Sequence, residues 1–92
     1  MKYHEMLVNV EDRNHEEPTF EIPQFCDRTS IQKGDYVKVV FNVGERIWLE
    51  VTNVGKSSFQ GAIINHPISD KIRFNEKVVF GTEHICDIAA PR

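Results

Sequence analysis

The sequence is short of nearly every feature that announces a chemistry. Its five glycines, Gly34, Gly44, Gly55, Gly61 and Gly81, stand singly. Neither GxGxxG nor a Walker-type GxxxxGKS/T run occurs, so no backbone cradle for a nucleotide phosphate is written in the chain. Cysteine is nearly absent: Cys26 and Cys86 lie far apart, with no Cys-x-x-Cys pair and no His-x-x-x-His pair. The compact spacings that make a zinc site legible are therefore missing. No apolar run approaches the roughly 20 residues of a membrane span. The opening stretch MKYHEMLVNVEDRNHEE lacks the apolar region of a signal peptide, so a cytoplasmic location with reduced thiols is expected. A basic excess is also missing. Eleven Lys and Arg stand against fourteen Asp and Glu, for a net charge of -3. Nucleic-acid binding through phosphate neutralisation is disfavoured on that ground.

What is present is one small domain's worth of β-forming sequence. A chain of 92 residues buries only about 60–65% of its unfolded surface, enough for one core and little else. Apolar residues at 40% and charged residues at 27% place it among globular chains rather than disordered ones.

Two parts differ in composition. Residues 1–33 read as an N-terminal arm or irregular segment. Glu11 to Glu17 is polar and charge-rich, and Pro18 and Pro23 exclude a long helix through them. Lys2 to Val10 reads as a short strand or extended arm. Thr19 to Phe25 reads as extended, with Phe20, Ile22 and Phe25 as anchors over a core. Asp27 to Ser30 suits one helical turn, capped by Asp27 or Ser30.

Residues 34–92 read as strands and turns. Tyr36 to Val43 carries Val37, Val39 and Phe41 on one face by period two, with Lys38 on the other. Val43-Gly44-Glu45 suits a tight hairpin. In Arg46 to Val54, Ile47, Leu49 and Val51 alternate against Trp48, Glu50 and Thr52. Ser58 to Asn65 is a third strand whose Gly61 marks a bulge or bend. Lys77 to Phe80 is a fourth. His84 to Ile88 is a short last strand or helical turn, and a tail follows. Short strands in sequence predict a mainly β fold: an antiparallel meander curled into an SH3-like half-open barrel with an extended N-terminal arm. An OB-like barrel and an α+β sheet are the alternatives.

Candidate functional residues follow from phase. Phe41, Phe59, Phe74 and Phe80 read as core. Tyr36 and Trp48 lie opposite their strands' apolar sets, and Glu50 shares that face, so these three are binding-face candidates. Asn65 and His66, which close the third strand before Pro67, join them, although Asn beside a Pro-containing turn commonly serves the backbone. His84 and Cys86 would share a strand face and form the best metal or nucleophile pair, with Asp87 beside them, but no catalytic residue and no cofactor is expected. Asp87, between Cys86 and Ile88, reads as partly buried and hydrogen-bonded.

The pattern from Ile31 to Ile88 resembles the small bacterial domains of the DUF2314 family. A Gly-Asp-initiated strand precedes ERIWLEV, followed by FQGAIINHP, an apolar loop, KVVF and HICDI. Glu45, Trp48, Glu50, Gly61, Asn65, Pro67, Ile85 and Asp87 are the positions that fit. Asn75-Glu76 departs from the Gly-Asp turn expected before KVVF, and no terminal Trp follows the last strand. The resemblance implies a compact β-rich domain and supplies no active site.

The expected function is a non-catalytic protein-interaction module of the adaptor, inhibitor or immunity type, its partner another protein and not a membrane. The alternatives are a small enzyme or metal-binding domain built on His84, Cys86 and Asp87, and a single-stranded nucleic-acid binder.

Overall fold

The computed structural model describes residues 3–89; the tail expected after Ala89 lies outside them. Five antiparallel strands form one sheet: β1 (Tyr36–Val40), β2 (Arg46–Val54), β3 (Phe59–Ile63), β4 (Lys77–Phe80) and β5 (Ile85–Ala89). The order is β4-β3-β2-β1-β5. The two edge strands are not paired with each other and are joined by a single 3-10 turn, Thr82–His84. This is the half-open, SH3-like arrangement that the meander predicts.

Alternation drives the folding of the sheet. Val37, Val39, Ile47, Leu49 and Val51 all point inward and are almost completely buried, as are Phe41, Ile63, Val78, Phe80 and Ile85. The curl is set where β2 meets β3. Val51 pairs with Gly61 but Asn53 with Gln60, leaving Thr52 as an extra residue. The bulge is thus on β2, opposite Gly61 rather than at it. A Cβ on Gly61 would come within 3.0 Å of Leu49 Cβ and 3.3 Å of the Phe80 ring, so glycine is what lets the two layers close.

Left-handed backbone is needed at three turn positions, Gly34, Gly44 and Asn75. Gly44 (φ 88°) closes the β1–β2 hairpin, with its N–H donating to Phe41 O and the Phe41 N–H donating to Glu45 O. Asn75 (φ 70°) turns the chain into β4, its N–H donating to Ile63 O. Asn is among the few residues that adopt this conformation at small cost.

The N-terminal segment departs from an extended arm. A 3-10 turn at His4–Met6 is followed by helix α1 (Val10–Glu16), and α2 (Phe25–Thr29) follows the prolines. Helix α1 forms in the polar, charge-rich stretch because Asn9 caps it, accepting from the Asp12 N–H. Glu11 and Asp12 also stand in its first turn and Arg13 and His15 in its last, the polarity the helix dipole favours. Ser30 acts at the end of α2, not its start: its hydroxyl and that of Thr29 donate to Cys26 O.

This segment plugs and buttresses the barrel. Tyr3 is buried against Phe41, edge to face at 5.9 Å. Its hydroxyl bonds Glu76 and accepts from the Arg73 N–H. Of the three expected anchors, Phe20 and Ile22 are half-buried, whereas Phe25 is 61% exposed beneath the Arg28 guanidinium. Phe74, expected in the core, is exposed as well; its neighbour Ile72 is buried in its place.

Candidate functional site

Strand register places the candidate residues on the outer face of β5-β1-β2 in two adjacent rungs. Lys38 pairs across with Trp48 on one side and Asp87 on the other. The next rung is Ala89, Tyr36, Glu50, Ala62 and Lys77 in order. Tyr36 and Trp48 are half-buried and Glu50 is exposed. Directly opposed side chains on one face interact, and these do. The Lys38 ammonium sits 4.9 Å from the Trp48 ring centroid and 3.9 Å from Asp87 Oδ2, a cation–π contact held by a carboxylate. Asp87 is more exposed than its apolar neighbours suggested, and its Oδ1 accepts from the Ile88 N–H.

Asn65 supports this face through the backbone. Its Oδ1 accepts from the Trp48 N–H at 2.5 Å, while the Ile64 N–H donates to Trp48 O. The side chain extends the β2–β3 ladder by one bond beyond the last strand pair. Glu45 does comparable work nearby, accepting from the Ile68 and Ser69 N–H groups. His66 belongs elsewhere: its exposed ring stacks on Phe74 at 4.5 Å in the β3–β4 loop, which also carries Ile68, 94% exposed.

Two grooves border the face where the segment after α1 runs beside β5. The larger, about 660 Å³, is lined by Glu21, Ile22, Pro23, Asp27, Ser30, Ile31, Asp35, Cys86, Asp87 and Ile88. The smaller, about 250 Å³, lies between Phe20 and Glu21 and the side chains of Lys38, Arg46, Cys86 and Asp87. Phe20 is held there between the Arg13 and Arg46 guanidinium groups, 5.4 and 5.5 Å from its ring centroid.

His84 and Cys86 do not form a pair on one strand face. His84 belongs to the 3-10 turn and β5 begins after it. His84 is buried, its Nδ1 accepts from the Gly81 N–H at 2.9 Å, and its ring meets His4 edge to face. Burial lowers its pKa, Glu83 and Glu11 oppose that, and His4 adds to it. Cys86 is the bulged residue of β5, since Lys38 pairs with Asp87 but Val39 with Ile85. Burial raises its thiol pKa more than Lys38 and Arg46 lower it. The free thiol is thereby held toward its protonated form. Among the described residues no group of three His, Cys, Asp or Glu side chains is placed to hold a metal, and no helix is long and apolar enough to cross a membrane.

Period two put Tyr36, Trp48 and Glu50 on one face, and it put Lys38 there too. The Asp87–Lys38–Trp48 line depends on register across three strands, which spacing within each strand does not carry. The extended segment 19–25 with its anchors Phe20 and Ile22 is legible in the sequence, but its placement beside β5, which makes the grooves, is not. Comparison with family models, curated proteins and solved structures found no match to this chain.

Proposed function

We propose that this domain is a non-catalytic protein-interaction module whose contact surface is the outer face of β5-β1-β2. The observation that carries the reading is the Asp87–Lys38–Trp48 line beside the Tyr36–Glu50 pair. Half-exposed Trp and Tyr supply large rigid area with a polar handle, the composition of interface anchors. Lys38, whose ammonium meets both the Trp48 ring and the Asp87 carboxylate, keeps the surface in one arrangement before a partner arrives, which lowers the ordering cost of binding. An adaptor, inhibitor or immunity-type role toward a basic partner suits the net charge of -3. A cytoplasmic setting suits two free cysteines.

Membership of the DUF2314-like domains is part of this proposal. Positions that fit the pattern have structural work: Glu45 ties down the β3–β4 loop, Asn65 extends the ladder, and Gly61 admits Phe80. Asn75, which replaces an expected glycine-bearing turn, still takes positive φ, so the substitution keeps the backbone the turn requires.

The test is affinity capture from lysate of the source organism with wild type and a Tyr36→Ala/Glu50→Ala variant of equal thermal stability. A protein partner retained by wild type and weakened about tenfold or more in the variant is expected, as for an interface anchor. Equal capture by both overturns the choice of face. Nucleic acid alone in the eluate transfers the reading to single-strand binding.

A further inference from the structure

The larger groove deepens this reading and rests on it. Strand β5 is a sheet edge. Among the described residues no backbone hydrogen bond joins it to the segment that faces it across the groove. The Ile88 N–H donates to the neighbouring Asp87 carboxylate, a local bond at an exposed side chain that an incoming strand's carbonyl would have to displace. An edge left this way is a template for one more strand. The groove has an apolar component in Ile22, Pro23, Ile31 and Ile88, and four carboxylates, Glu21, Asp27, Asp35 and Asp87. No Lys, Arg or His lines it. Asp35 accepts from the Gln32 N–H and Asp87 is engaged by Lys38. The side-chain carboxylates of Glu21 and Asp27 have no hydrogen-bond or ion-pair partner among the described residues.

We propose that an extended, Lys- or Arg-bearing segment of a partner protein docks in this groove as a sixth strand against Cys86–Ile88. Backbone bonding to the β5 edge would supply the register, as in strand addition generally. Alternate side chains of the incoming strand would face the carboxylates, and the apolar wall would receive the aliphatic stems of its lysines or arginines. Roughly three to four extended residues, at about 3.3 Å each, span the Cys86–Ile88 edge.

The probe is a short capped peptide of alternating Lys and Val, titrated into the full chain with amide shifts followed by NMR. Binding that moves the Cys86–Ile88 amides is expected. It should weaken about tenfold in Glu21→Gln/Asp27→Asn, both exposed positions, and fall with added salt. N-methylation of alternate peptide nitrogens should abolish it, because a strand needs those donors. The proposal is overturned by no binding at about 1 mM peptide. Equal binding of a Glu/Val peptide, indifference to N-methylation, or shifts confined to other strands would overturn it as well. The two readings fail separately. A protein captured by wild type, lost from Tyr36→Ala/Glu50→Ala and retained by Glu21→Gln/Asp27→Asn leaves the binding face standing and removes the groove.

Discussion

The barrel and the segment that leads into it are held together by different forces. The sheet curls over an apolar core in which one face of β1 to β4 is buried, with Ile85 added from β5. Residues 3–33 contribute only a few apolar plugs, chiefly Tyr3, Val10 and Ile31, and are otherwise tied by polar bonds to single atoms. Arg28 is the centre of that arrangement. It is 5% exposed; its Nε donates to Pro23 O, and one terminal nitrogen donates to Glu11 Oε2 and to Thr82 O. One side chain thus joins α1, α2 and the 3-10 turn before β5. Asn14 adds a bond to Phe20 O. Area-proportional burial makes the barrel tolerant of which apolar residue fills a site, whereas the leading segment depends on a few donors in fixed places.

Removing apolar volume from the barrel should have the largest effect. Leu49 is fully buried, and Leu49→Ala is expected to cost about 3–4 kcal/mol, a large part of the stability of a domain this size. In urea the midpoint should fall with unchanged slope, and both regions should unfold in one transition. A loss below about 1 kcal/mol would mean that the core is not what holds the sheet.

Arg28→Met sharpens the contrast. The methionine keeps the aliphatic packing and removes three charge-assisted bonds, at an expected cost of about 2 kcal/mol; Glu11 is left partly solvated, which limits the penalty. Amide exchange should accelerate in α1 and α2 while β2 and β3 keep their protection. If the β2 amides open as readily as in Leu49→Ala, the leading segment does not open independently of the barrel and the comparison fails.

The same contrast explains what sequence reading reached. Hydrophobic alternation is a local signal, so the faces of β1 and β2 and the meander are legible from spacing. Helix α1 is not, because it buries only Val10 and stands on a cap and charge polarity rather than on an apolar stripe. Phe25 differs for a related reason: its size suggests burial, yet its ring lies outside under a guanidinium that spacing does not predict. Tyr3 and Arg28 reach partners 73 and 54 residues away, and no periodicity records such pairings. On the candidate face, strand phase revealed the residue types but not the rungs. Rungs need register, and the bulges at Thr52 and Cys86 shift register by one residue each.

The smallest expected effect lies at the seam between the two regions and depends on pH. His84 sits in the 3-10 turn that touches both α1 and α2. Its neutral ring accepts the Gly81 N–H at Nδ1; a protonated ring has no lone pair there and loses that bond. Burial is the main cause of its lowered pKa, with His4 adding to it and Glu83 and Glu11 in opposition. In the unfolded chain the ring titrates near 6.5, so between that value and the lower folded pKa the unfolded state holds more protons. Stability therefore rises with pH across this window and is lost as pH falls through it. The loss should appear first as faster exchange in α1 and α2, with the β2–β3 ladder still protected. His84→Gln, which retains a side-chain acceptor without a titrating ring, should flatten the dependence. A dependence of unchanged size in that variant would assign it to His4 or to the carboxylates, and the seam would then owe nothing to the charge state of His84.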